Sequence, residues 1–107
     1  MTDIVQLPEN FIGKEDRERL ESFGGHTIAH GRATRWHWTS DESGNDIFEI
    51  YRGGADEELA FRVSRDRDND VFRVHDAGQR EVLSGDLEHV MAGLEEKLSA
   101  EHGEHPA

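Results

Sequence analysis

Between residues 34 and 76, polar and apolar side chains alternate in four short runs: Thr34 to Ser40, Asp46 to Arg52, Glu58 to Arg65 and Asp70 to Asp76. A period of two is the pattern of a strand with one face buried. The breaks Asp41-Glu42-Ser43-Gly44-Asn45, Gly53-Gly54-Ala55-Asp56 and Asp66-Arg67-Asp68-Asn69 are rich in turn residues and short enough for hairpins. A meander of four antiparallel strands follows, and His26 to His30 would add a fifth strand or extend the first.

The period changes to that of a helix at both ends. From Leu87 the apolar positions Val90, Met91, Leu94 and Leu98 fall three and four apart, which keeps them on one stripe and requires that stripe to be buried. Ser84 or Asp86 supplies the N-cap, and Asp86 and Glu88 place negative charge at the positive end of the helix dipole. Gly93 lies off the stripe, and nothing in the sequence accounts for it. Lys14 to Phe23 reads as a short helix with a thin apolar edge, Leu20 and Phe23, stopped by Gly24-Gly25. The expected class is therefore α+β: a four-stranded or five-stranded antiparallel meander, a C-terminal amphipathic helix on one face, and a short N-terminal helix. Residues 1–100 form one domain in this reading, and 101–107 form a disordered polar tail.

Only 34% of the 107 residues are apolar and the net charge is −12, a composition close to that of disordered chains. Two Trp, five Phe and one Tyr, concentrated in the alternating runs, supply the large buried areas that argue for a folded middle. Cysteine is absent, which excludes disulfides, thiolate metal sites and a cysteine nucleophile. Met1 to Leu7 lacks the pattern of a signal peptide, and no apolar run could span a bilayer, so a cytoplasmic location is expected. The acidity disfavours nucleic acid and anionic membranes as partners and favours basic proteins. Arginine outnumbers lysine, which is present only as Lys14 and Lys97. Its planar fork suits cross-strand carboxylate pairs.

Pleating assigns Trp36, Trp38, Leu59, Phe61, Val63, Phe72 and Val74 to the face under the C-terminal helix, and Phe48 with Ile50 joins them most simply. The other face then carries Arg35, His37, Glu49, Tyr51, Arg62, Arg73 and His75, and these seven are the candidate binding residues. Either they form a solvated, ion-paired sheet surface, or they bind something.

Sharper chemistry finds little support. His26, His30 and His37 lie close in sequence, but no third ligand and second shell accompany them recognisably, so no metal site is expected. Asp66, Asp68 and Asp70 match the first three positions of a calcium loop, but Val71 and Ala77 stand where its Gly and bidentate acid belong. The serines lack nucleophile contexts, no carboxylate pair stands out among so many, and the glycines match no phosphate-cradling motif, so no catalytic residue and no cofactor are implied. What remains is a small acidic, non-enzymatic interaction or regulatory module that binds a protein partner through the arginine face or through acids around the last helix. The alternative is a small-ligand or enzymatic domain on the open arginine and histidine face, as a homodimer closing a cavity between two sheets.

Overall fold

The computed structural model describes residues 12–53 and 57–101. The leader reading at Met1 to Leu7, part of the break Gly53 to Asp56, and the expected tail apart from Glu101 lie outside them. Helix α1 (Lys14–Ala29) is followed by strands β1 (Arg35–Ser40), β2 (Asp46–Arg52), β3 (Glu58–Asp66), β4 (Val71–Asp76) and β5 (Glu81–Gly85), and then by helix α2 (Leu87–Glu101). The strands form one antiparallel sheet in sequence order. The fold is thus α+β, with the sheet open at β1 and β5.

Two expectations change. The fifth strand is Glu81–Gly85 at the far edge of the sheet, whereas His26 to Ala29 belongs to the last turn of α1. And α1 does not stop at Gly24-Gly25. Its end is a Schellman motif: Gly31, at φ 75°, donates its N–H to Ile28 O, and Arg32 donates to Thr27 O. The left-handed conformation is needed at Gly31, seven residues beyond Gly24. Gly24 has another purpose. It is buried, and a Cβ placed on it would stand 2.4 Å from Trp36 Cδ1. A bare backbone there lets the helix lie directly against the indole.

Gly93 in α2 has the same explanation. A Cβ on it would come within 2.8 Å of both Leu83 methyls, so its absence lets α2 approach β5 closely. Asp86 is the N-cap of α2: its Oδ1 accepts the His89 N–H at 2.8 Å, and its carbonyl accepts from Val90.

A single buried cluster joins Leu20 of α1, Phe48, Ile50, Phe61, Val63, Phe72 and Val74 of the sheet, and Leu87, Val90, Leu94 and Leu98 of α2. Both tryptophan rings lie against Phe48, with centroids 5.5 and 5.0 Å away. Trp38 also donates its indole N–H to Glu21 at 2.7 Å, and Arg17 lies over the same ring. An indole bonded in this way satisfies its one polar atom while burying the rest. Met91, expected in the buried stripe, is only partly covered. No helix among the described residues is long and apolar enough to cross a membrane.

Candidate functional site

Register places all seven candidate residues on the sheet face opposite the core. His37, Glu49, Arg62 and His75 form one cross-strand row, with Arg35 and Tyr51 paired on one side of it and Ser64 and Arg73 on the other. Directly opposed residues of antiparallel strands point the same way, so the row is continuous across four strands.

Glu49 is the hub. It is 7% exposed, and its Oε1 accepts the Tyr51 hydroxyl and meets His37 Nε2, each at 2.9 Å. Its Oε2 stands 3.0 Å from Arg62 Nε. That contact is an ion pair and not a hydrogen bond, because the Nε–H is not aimed at a carboxylate oxygen. Burial together with the neighbouring carboxylate raises the Tyr51 pKa, and Arg35, stacked 4.1 Å over the phenol ring, works against that shift.

Arg35 Nη1 lies 2.6 Å from His37 Nδ1. A guanidinium can only donate, so Nδ1 accepts and the ring proton resides on Nε2, facing Glu49. Both imidazole nitrogens are thereby committed. A general-base role for His37 would require breaking one of these contacts.

The arginines are neutralised locally. Arg35 Nε donates to Glu57 at 2.9 Å, and Glu57 is held below its ordinary pKa by the Thr34 hydroxyl and by Arg35. Arg73 donates through Nε and Nη2 to Asp66 and through Nη1 to both oxygens of Glu81. Asn69 and Arg73 together lower the Asp66 pKa to about 2. The expected concentration of positive charge on this face is therefore met by carboxylates from the turns and from β5. Exposed pairs of this kind contribute under about 1 kcal/mol each.

Beside the hub lies a groove of about 310 Å³ lined by Asp41, Asn45, Ile47, Arg62, Ser64, His75 and Gln79. It brings together two of the seven candidates, Arg62 and His75, without Glu49 as a wall. His26 of α1 and His30, its C-cap, sit edge to face with ring centroids 4.1 Å apart, while His37 is engaged by Glu49. Among the described residues no three metal-ligating side chains gather.

Sequence reasoning missed a second feature, a trough of about 780 Å³ between the two helices. It is lined by Phe23, Met91, Ala92 and Ser22, with Glu15, Glu18, Arg19 and Glu95 around it. Arg19 of α1 reaches Glu88 of α2 at 3.5 Å, and Arg32, just past the end of α1, reaches Glu95 at 3.2 Å. The signal available was Met91 itself, at the margin of the α2 stripe. That Phe23 comes to share a trough with it depends on how the helices lie together.

No family model, curated protein or solved structure matches the chain.

Proposed function

We propose that the protein is an acidic interaction module whose interhelical trough docks a basic, amphipathic helical segment of another protein. The observation that carries this reading is the trough itself: an apolar floor of Phe23, Met91 and Ala92 with carboxylates at its rim. Apolar surface in a groove is the usual anchor for the apolar side chains of a bound helix, which repeat along one face. The rim selects the charge of the occupant. Glu15 and Glu18 have no ion-pair partner among the described residues, and Arg19 is already engaged by Glu88. A chain of net charge −12 draws a basic segment by long-range attraction, while the apolar floor holds it once seated.

The open sheet face supports docking less well. Arg35 and Arg73, its outer arginines, are occupied by carboxylates of the same chain, so a partner would have to displace existing pairs to use them.

A synthetic leucine–lysine amphipathic peptide, titrated against the isotope-labelled protein, tests the proposal by amide chemical shifts. Saturable shifts centred on Phe23, Met91 and Ala92 are expected. They should vanish in the Met91→Glu variant and with a leucine–glutamate peptide of equal length. Shifts scattered over all acidic residues, or binding unaffected by Met91→Glu, would overturn it.

A further inference from the structure

We infer that the groove on the open sheet face is a binding site for a small organic carboxylate that also carries a hydroxyl or ammonium group. The inference is independent of helix docking, since the two features lie on opposite sides of the sheet.

On this face Arg35, His37, Glu49, Tyr51 and Arg73 all have partners within the chain. Inside the groove the pattern reverses. The side chains of Ser64 and Gln79 have no partner among the described residues, His75 makes no hydrogen bond there and meets only the charge of its neighbour Asp76, and Arg62 meets Glu49 only at Nε, leaving its two outer amino groups uncommitted. Each of these four groups can donate. Arg62 offers a planar fork, His75 a ring N–H in either charge state, Gln79 an amide and Ser64 a hydroxyl. Convergent donors around a fixed guanidinium match the planar, bidentate acceptor geometry of a carboxylate.

The opposite wall supplies the second requirement. Asp41 is charged, its pKa lowered by Asn45 and by the backbone of its own turn, and it accepts from the Ser43 and Asn45 N–H groups and from Asn45 Nδ2. A charged carboxylate at one end of the groove repels a doubly charged anion and attracts a donor. The ligand class is thus a carboxylate bearing an ammonium or hydroxyl group. At about 310 Å³, with Ile47 as its apolar lining, the groove is at the small end of ligand pockets and suits a small molecule.

Two features show that the site is built in place. The ion pair with Glu49, itself buried and bonded to Tyr51, keeps the Arg62 guanidinium beside the groove before anything binds. Gln79 adopts φ 67°, a strained value for a side chain of its kind, where the β4–β5 turn brings it to the groove.

The test is amide chemical-shift titration of the full chain with glycine, glycolate, acetate and sodium chloride at matched ionic strength. Saturable shifts at Ser64, His75 and Gln79 are expected with glycine and glycolate, weaker ones with acetate and none with chloride. Arg62→Gln should weaken binding about tenfold or more, the loss of one charge-assisted hydrogen bond. Ser64→Ala, which leaves the Glu49 hub intact, should weaken it measurably even if Arg62→Gln fails to fold. Absence of saturable shifts with all three organic probes, or wild-type affinity in Ser64→Ala and Arg62→Gln alike, overturns the site. Acetate binding as tightly as glycine and glycolate overturns the donor-bearing class.

Discussion

Adjacent glycines in α1 are expected to respond in opposite directions to the same substitution. Gly24 faces Trp36, and a Cβ there would lie 2.4, 2.8 and 2.9 Å from its Cδ1, Cγ and Nε1. Carbon atoms in contact sit at roughly 3.5–4.0 Å, so Gly24→Ala forces a separation on the order of 1 Å between α1 and β1. Trp36 cannot simply turn aside, because its ring packs on Phe48. Overpacking of this sort costs about 1–3 kcal/mol, partly offset by the roughly 1 kcal/mol that Ala gains over Gly in a helix. The net expectation is a loss of up to about 2 kcal/mol, which puts Gly24→Ala about 1–3 kcal/mol below Gly25→Ala. Gly25 is exposed and has nothing within 4 Å of its Cβ position, so Gly25→Ala keeps only the helical gain, about 1 kcal/mol. For a domain near this size each kcal/mol moves Tm by about 4 °C. Thermal and urea unfolding followed by circular dichroism and by tryptophan fluorescence would measure both variants. A Gly24→Ala protein as stable as Gly25→Ala, or one stabilised relative to the wild type, would refute the close-approach argument.

Tyr51 is the only tyrosine in the chain, so its ionisation can be followed by ultraviolet absorbance without interference from another phenol. Its pKa lies above the ordinary value of 10, and Glu49→Gln, which removes a charge and weakens the hydrogen bond, should move it down towards 10; an unchanged titration would contradict the hub geometry. Asp66 gives a prediction at the acid end. Its carboxyl titrates at about 2 when folded against an ordinary 3.8, so the unfolded chain binds the proton first. The stabilisation is present above 3.8 and is lost as pH falls towards 2, and Asp66→Asn should flatten the fall in urea midpoint over that window. A slope as steep as in the wild type would exclude Asp66 as a contributor.

Sequence periodicity placed β1 to β4 almost to the residue, because each strand has one apolar and one polar face. It failed at β5, where only Val82 and Leu83 are apolar and a register irregularity next to His75 breaks the alternation. It also ended α1 too early. A glycine pair permits a helix stop, but Gly24 is there for its missing Cβ, and that reason becomes visible only when Trp36 is placed beside it. For the candidate site, alternation alone gathered Arg35, His37, Glu49, Tyr51, Arg62, Arg73 and His75 on one face. Their partners were not legible, since Glu57, Asp66 and Glu81 come from strand ends, a turn and the edge strand. The groove and the trough depend on how distant segments meet, and local pattern carries no record of that.

Glu49 has a consequence for the order of the strands as well as for binding. It is addressed from β1 by His37, from its own strand by Tyr51 and from β3 by Arg62. A slip of one residue in either neighbouring strand would turn Trp36 and Trp38, or Phe61 and Val63, towards the polar face and withdraw His37 or Arg62 from the carboxylate. A buried carboxylate stripped of a partner costs several kcal/mol. The hub thus works as a key cut for one alignment, checking three strands at once in a sheet whose short hairpins would otherwise leave their alignment to the apolar face alone.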